Sequence, residues 1–295
     1  MMNHVKLKKT QIRKPAWLKK TLPKESEYEK IRALLSRSKL HSVCQEAKCP
    51  NIWECFSQET ATFLILGDHC TRNCRFCAIA HGPSEPPDPE EPVRIGEAVK
   101  GMGLSYVVVT SVTRDDLPDG GAGLFAETIR EIRKKIPNAL VEVLIPDFQG
   151  NTYALQTVLD AMPNVLNHNL ETVPRLYPGA RPEAVYDRSL DLLKNARAYA
   201  PAIPTKSGLM LGLGESPEEV EITLKDLLGA DCSILTLGQY LQPSKEHLPV
   251  ERFIPPEEFD MWRENALAMG FSQVASGPFV RSSYHAKELY QAVRP

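Results

Sequence analysis

Apolar runs with the character of strands alternate with helical patterns along most of this chain, and no other feature restricts its fold as strongly. Six runs rich in Val, Ile, Leu and Thr predict strands, near residues 60–66, 106–110, 141–145, 165–169, 208–211 and 234–237. Helical patterns separate several of them, near residues 121–135, 152–162, 188–199 and 218–229. Strands that alternate with helices form βα units, whose strands lie parallel in one sheet. We therefore expect an α/β protein.

The six βα units lie between residues 60 and 270 and predict a partial (β/α)6 TIM-like barrel. Residues 1–59 are then an N-terminal extension and residues 271–295 a C-terminal extension. A three-layer, doubly wound sheet is the competing architecture. Barrels of this kind carry their reactive groups where strands end, and Ser111, Asn169 and Glu171 follow the ends of predicted strands. We expect a functional site at this rim.

Composition and charge exclude several classes of function. A net charge of −2 over 295 residues gives no reason to expect nucleic acid as the main partner. No apolar run is long enough to span a bilayer, and the basic N-terminus lacks the apolar segment of a secretory signal. We therefore expect a cytoplasmic protein with no membrane partner. The basic tail before Glu25 is interpreted either as a solvated segment or as an arm that docks an acidic protein.

The seven cysteines divide into two triplets and one remainder. The upstream triplet has the spacing C-x4-C-x5-C and the downstream triplet the spacing C-x3-C-x2-C; they comprise Cys44, Cys49 and Cys55, and Cys70, Cys74 and Cys77. Cysteines without an export signal bind metals more often than they pair. A closed metal site normally takes four protein ligands, so each triplet leaves one position open. Cys232 heads an apolar run and is interpreted as a small buried hydrophobe.

The downstream triplet, with the aromatic Phe76 before its third cysteine, resembles the radical S-adenosylmethionine superfamily. The resemblance implies a [4Fe–4S] cluster on three thiolates, whose fourth iron is chelated by S-adenosylmethionine, and it places Phe76 against the adenine. The alternative is a zinc knuckle that borrows His69 or His81 as its fourth ligand.

The upstream triplet narrows the resemblance to lipoyl synthases, because it looks like the motif that binds an auxiliary cluster in that family. Arg281-Ser282-Ser283-Tyr284 is similar to the family's C-terminal signature, which implies that Ser283 is the fourth ligand of the auxiliary cluster. An alkoxide ligand is easier to displace than a thiolate, which suits a cluster that must be opened. The resemblance covers residue 40 to the C-terminus.

The resemblance implies a radical insertion of two sulfur atoms, at C6 and C8 of a protein-bound octanoyl-lysine. Two [4Fe–4S] clusters and S-adenosylmethionine are the implied cofactors, and the auxiliary cluster is consumed as the sulfur donor. The implied partners are octanoylated lipoyl carrier domains of 2-oxoacid dehydrogenase E2 subunits or the glycine cleavage H protein. An electron donor such as ferredoxin or flavodoxin and a carrier that repairs the cluster complete the set.

Five residues are candidates for holding S-adenosylmethionine. Besides Phe76 they are polar residues expected at strand ends that face the cluster, namely Ser111, Asn169, Glu171 and Lys206. Alternative functions are another sulfur-inserting, biotin-forming or methylthio-transferring radical enzyme, a non-enzymatic iron–sulfur redox protein, and a zinc-stabilised structural protein.

Overall fold

A computed structural model describes residues 13–19, 26–46, 51 and 62–293 of the chain. The basic tail before Glu25 lies mostly outside this part, as do Cys49 and Cys55. None of the helices within the described ranges is long and apolar enough to cross a membrane.

One eight-stranded sheet forms the centre of the molecule. Its strands are β1 (His41–Ser42), β2 (Thr62–Ile65), β5 (Tyr106–Ser111), β6 (Leu140–Leu144), β7 (Val165–Asn167), β8 (Thr205–Leu211), β9 (Ile234–Gln239) and β10 (Gln273–Gly277). They are hydrogen-bonded in that order, and every pair is parallel except β1 with β2. The strands β3 (His69–Cys70) and β4 (Ala80–His81) form a separate parallel pair.

Helices follow most of the parallel strands. They are α1 (Ser26–Arg37), α2 (Val43–Glu46), α3 (Glu91–Met102), α4 (Ala122–Lys135), α5 (Thr152–Asp160), α6 (Tyr177–Ala180), α7 (Tyr186–Tyr199), α8 (Pro217–Gly229), α9 (Pro256–Met269) and α10 (Ala286–Val293). Short 3-10 turns cover Ala16–Leu18, Phe148–Gly150 and Pro174–Leu176. The start of α8 has a capping box, in which Ser216 and Glu219 each bond the other's backbone N–H.

The architecture is a partial TIM-like barrel, and all six predicted strands are confirmed. The parallel sheet continues past residue 270, because Gln273–Gly277 pairs in parallel with β9. One cluster of buried side chains joins the outer face of the strands to the helices, and Cys232 belongs to it, as predicted.

The C-terminal helix α10 closes the amino-terminal end of the barrel. Leu289 packs against Val165 and Ile234, which begin β7 and β9. The Tyr290 ring lies 6.4 Å from the ring of Tyr106, the first residue of β5. The opposite end, where the strands finish, therefore remains as the mouth of the barrel.

Candidate active site

The chain enters the candidate site through a sharp turn at the end of β2. Leu66 and Gly67 both adopt positive φ angles, of 70° and 93°, and the second position suits glycine because it lacks a Cβ. The buried Glu91 carboxylate accepts a hydrogen bond from the Leu66 backbone N–H at 2.9 Å and so holds the turn. The turn directs the chain across the barrel mouth toward Cys70.

The segment 70–77, which we call the cysteine loop, is fixed by three neighbouring segments. Thr113, after β5, donates its backbone N–H to Cys70 Sγ at 3.3 Å. The backbone N–H of Arg75 donates to the Ala180 carbonyl at 2.8 Å. The imidazole of His247, after β9, lies 2.8 Å from the Cys77 carbonyl. Anchors from several strand ends place the loop over the barrel mouth.

Arg72 binds the same loop to the barrel through two aspartates. Its guanidinium makes two hydrogen bonds to Asp115, of 2.6 and 2.9 Å, and a third of 2.6 Å to Asp147 Oδ1. Asp147 also accepts from Arg188 at 3.2 Å. Although burial opposes ionisation, the Arg72 guanidinium lowers the pKa of Asp147 to about 2. The resulting network links the loop to the ends of β5 and β6 with charges that balance.

The three thiols of the loop are partly buried, and the charges of Cys70 and Arg181 both act on the pKa of Cys74. Burial raises the pKa of Cys74 to about 11 and that of Cys77 to about 12. Thiols with such a raised pKa stay protonated at neutral pH. A metal that binds them displaces the proton and takes the thiolate as its ligand. Across the described ranges, no three His, Cys, Asp or Glu side chains are arranged to hold a single metal ion.

Three of the predicted S-adenosylmethionine contacts lie at the mouth. Ser111 ends β5, whereas Asn169 and Glu171 follow β7. The Ser111 hydroxyl and the Asn169 amide oxygen are buried and lack a hydrogen-bond partner in the part of the chain that the structure describes. Glu171 has a left-handed backbone with φ of 68°, and burial raises its pKa. Buried polar atoms without partners suit a polar ligand, because leaving them unpaired is costly.

Lys206 does not lie at the end of a strand, and that expectation is wrong. The strand predicted from residue 208 begins at Thr205, so Lys206 is the second residue of β8. Its ammonium group is fully buried in the barrel and donates to Glu142 Oε1 at 2.9 Å. Glu142 also accepts from the Tyr106 hydroxyl at 2.7 Å. The Lys206–Glu142 pair is thus part of an internal polar network.

Phe76 and the two histidines of the zinc alternative lie in or beside the cysteine loop. Phe76 is half-buried within the cysteine loop. His69 Nδ1 lies 2.7 Å from Asp68 Oδ1, and His81 is exposed on β4. Among the described residues, neither histidine forms a hydrogen bond with a thiol of the loop.

Arg181 is a site residue that the sequence reasoning missed. It is buried, and its positive charge partly offsets the rise that burial causes in the pKa of the Cys74 thiol and of the Glu171 carboxyl. One guanidinium nitrogen, Nη1, donates to the carbonyls of Asn169 and Leu170, whereas Nε has no partner within the described chain. Within that same part no carboxylate forms an ion pair with Arg181. The only sequence signal was a basic residue in a loop after a strand, which is too common to single out.

Three described residues lie in or beside the segments predicted to carry the auxiliary ligands. Cys44 lies in α2, directly after β1, although its side chain is outside the described atoms. Asn51, between Cys49 and Cys55 in sequence, donates to the Phe279 carbonyl at 2.6 Å. Ser283 Oγ accepts a hydrogen bond of 2.9 Å from Thr62, the first residue of β2.

Comparison with known proteins agrees with this geometry. Residues 64–227 match the family model of the radical SAM superfamily, and residues 1–49 match that of the N-terminal domain of lipoyl synthase. A lipoyl synthase of Desulfotalea psychrophila is 60% identical over 289 residues, covering 98% of this chain and 97% of the relative. The chain belongs to the lipoyl synthase family. A second family member, from Thioalkalivibrio sulfidiphilus, is 54% identical and covers 96% of this chain and 89% of its own.

Solved structures support the fold of this family member. Streptococcus suis SuiB bound to S-adenosylmethionine matches with a TM-score of 0.55 at 10% identity, over 81% of this chain and 51% of that chain. The FeFe-hydrogenase maturase HydG matches with a TM-score of 0.53 at 16% identity, over 90% of this chain and 75% of that chain. Membership of the family and superfamily implies an iron–sulfur cluster and S-adenosylmethionine. The donor chemistry of three partly buried thiols that act on one another electrostatically, beside unpartnered polar atoms, fits such a pair.

Proposed function

We propose that this protein inserts two sulfur atoms at C6 and C8 of an octanoyl chain attached to a lysine of a lipoyl carrier domain. The observation that carries the proposal is the placement, in one barrel, of the cysteine loop at the mouth and the Ser283 segment against β2. The C–H bonds of an octanoyl chain are too weakly acidic for a side-chain base to break. Cofactors must therefore supply the chemistry.

The residues that would hold these cofactors divide between two places. Cys70, Cys74 and Cys77 would hold one [4Fe–4S] cluster, and Cys44, Cys49, Cys55 and Ser283 an auxiliary one. Bound there with S-adenosylmethionine, these groups supply a 5′-deoxyadenosyl radical and the sulfur. The protein itself contributes binding, orientation and the exclusion of water.

S-adenosylmethionine presents a carboxylate, a ribose and an adenine to the barrel mouth. Arg181, which forms no ion pair within the described chain and has an unpartnered Nε, would bind the carboxylate. The Ser111 hydroxyl and the Asn169 amide oxygen are free to bond the ligand's polar groups. The α10 helix seals the other end of the barrel, so that reactive species formed inside meet little water.

The partners follow from the substrate and the chemistry. The proposed substrates are octanoylated carrier domains of 2-oxoacid dehydrogenase E2 subunits and the glycine cleavage H protein. Ferredoxin or flavodoxin is the proposed electron donor, and a cluster-repair carrier would restore the auxiliary cluster after turnover. Thiol ligands persist in a reducing compartment, so we place the protein in the cytoplasm.

An anaerobic assay tests this function. Reconstituted protein is mixed with S-adenosylmethionine, a strong reductant and an octanoyl-lysine peptide, and mass spectrometry follows the peptide and 5′-deoxyadenosine. We expect a peptide that gains two sulfur atoms and a Cys74→Ala control that forms neither product. If the wild-type protein forms 5′-deoxyadenosine but leaves every octanoyl peptide unchanged, the proposed substrate is wrong.

A further inference from the structure

Asn169 lies where the proposed S-adenosylmethionine site meets the C-terminal segment. Its Nδ2 atom donates to Glu171 Oε1 at 3.0 Å and to Ser282 Oγ at 2.6 Å. A side-chain amide has two N–H donors, and both are used here. One planar group therefore connects a residue at the barrel mouth with the neighbour of Ser283.

The remaining polar atom of this amide awaits a partner. Asn169 Oδ1 is buried and has no hydrogen-bond partner among the atoms that the structure describes. Gly208 lies beside it, and a Cβ at that position would come within 3.0 Å of Asn169 Oδ1 and collide with the Thr236 hydroxyl. Only glycine leaves room next to the amide oxygen. A donor from a bound ligand would satisfy this oxygen, whose isolation is otherwise costly.

The C-terminal segment that Asn169 contacts through Ser282 has a second hydrogen bond to the barrel, through Ser283. Ser283 Oγ accepts from the Thr62 hydroxyl at 2.9 Å, so consecutive serines are bonded to β7's end and to β2. The approach of this segment depends on Gly238, because a Cβ there would collide with the Val280 carbonyl. The serine pair thus connects β2 with the residues that follow β7, across three steps of the sheet order.

We propose that Asn169 is a positioning residue that couples occupancy of the S-adenosylmethionine site to Ser283, through its hydrogen bond to Ser282. The inference rests on the proposed function of both sites. A ligand donor at Oδ1 fixes the amide plane, which strengthens both Nδ2 hydrogen bonds and restrains Ser282. Ser283 is then held at the auxiliary iron more firmly when S-adenosylmethionine is bound. Coupling between two sites is reciprocal, so loosening Ser282 weakens binding of S-adenosylmethionine in turn.

The test measures release of iron from the auxiliary cluster to a chelator, with and without S-adenosylmethionine. Mössbauer spectra before and after identify the cluster that has lost iron. In the wild-type protein, S-adenosylmethionine should slow this release by about fivefold or more, the lower end of typical coupling between sites. The effect should vanish in Ser282→Ala and persist in Ser282→Thr, which keeps the hydroxyl.

A matched control removes a hydroxyl elsewhere in the C-terminal region. Ser276 Oγ donates to the Phe259 carbonyl at 2.7 Å, away from Asn169, so Ser276→Ala should retain the effect. An equal effect of S-adenosylmethionine in Ser282→Ala and wild type, or no effect in wild type, overturns the coupling. If Ser282→Ala fails to assemble the auxiliary cluster, the KM for S-adenosylmethionine in 5′-deoxyadenosine formation decides. It should rise in Ser282→Ala but not in Ser282→Thr, and an unchanged KM overturns the proposal.

The peptide assay on the same wild-type preparation separates this inference from the function on which it rests. A product with two sulfur atoms, together with absent coupling, overturns the role of Asn169 alone. Failure to cleave S-adenosylmethionine at all overturns both.

Discussion

Arg72 extends from the cysteine loop into the barrel and donates to Asp147 Oδ1 at 2.6 Å. The two side chains are 4% and 0% exposed, so this ion pair is shielded from water. It connects the segment between Cys70 and Cys74 with the end of β6. The barrel therefore contributes directly to the geometry of the loop.

Replacing Arg72 with Met should destabilise the protein and distort the loop. Removing one partner of a buried ion pair costs about 3–5 kcal/mol, because the other charge stays buried. Denaturant unfolding measures the loss of stability. The iron content of the reconstituted protein shows whether the cysteine loop still binds a cluster. Arg188→Met removes the longer, 3.2 Å contact to Asp147 from a half-exposed side chain, and should cost much less. Equal losses in the two variants would contradict the central role of Arg72.

Arg181→Gln should raise the KM for S-adenosylmethionine and leave kcat nearly unchanged. A hydrogen bond to a charged group contributes about 1.5–3 kcal/mol, which corresponds to a rise of about 10- to 150-fold. Initial rates of 5′-deoxyadenosine formation across a range of S-adenosylmethionine concentrations give both constants. The control is Arg175→Gln, which breaks an exposed pair with Glu219. A normal KM in a folded Arg181→Gln protein would remove this residue from the site.

The Lys206–Glu142 pair should matter for stability rather than for binding. Lys206→Met leaves Glu142 buried without its cation and should lower the free energy of unfolding by about 3–5 kcal/mol. The double variant Lys206→Met/Glu142→Gln should recover much of this, because glutamine still accepts from Tyr106 without a charge. Denaturant unfolding and the KM for S-adenosylmethionine are measured together. A large rise in KM in the stable double variant would restore Lys206 as a contact of the ligand.

Stability should fall as the pH falls from about 6.5 toward 4, and His168 is one cause. Burial lowers the pKa of His168 to about 4, while Nδ1 stays bonded to the Ile145 carbonyl. The unfolded chain binds the proton first, near pH 6.5, so acid favours unfolding throughout this window. The contribution lost between pH 7.5 and 5 is about 2 kcal/mol. Urea unfolding at both pH values should show a smaller loss in His168→Gln than in wild type; an equal loss would contradict the assignment.

Ser283→Cys should retain the auxiliary cluster but abolish formation of the lipoyl product. A thiolate binds iron more firmly than an alkoxide, so the cluster would resist opening. Iron and sulfide analysis tests the first expectation, and the peptide assay tests the second. Full activity would contradict the idea that a displaceable ligand is needed.

Much of the fold could be predicted because its strands are strongly apolar and regularly spaced. The strand Gln273–Gly277 was missed because its Ala, Ser and Gly residues lack the β-branched pattern of the others. It is nevertheless paired with β9 along its whole length. Tertiary context, rather than local propensity, makes it a strand.

The site could be predicted only where the sequence fixes spacing. The motif located the cysteine loop, and the ends of strands located Ser111, Asn169 and Glu171 at the mouth; their roles stay predictions. Lys206 was misplaced because it lies at the start of its strand, which begins at Thr205, whereas the mouth is formed by residues at the strands' carboxyl ends. Arg181 was missed because its burial depends on packing beside Tyr177, whose ring lies 5.2 Å from the guanidinium carbon.

The most direct measurement is a single turnover with an auxiliary cluster built from a heavy sulfur isotope. The reaction contains S-adenosylmethionine, reductant and an octanoyl-lysine peptide, and mass spectrometry reads the isotopes in the product. We predict a lipoyl peptide that carries two heavy sulfur atoms, even with ordinary sulfide in solution. A product built from solution sulfide, or no gain of sulfur from a protein that holds both clusters, would contradict the account.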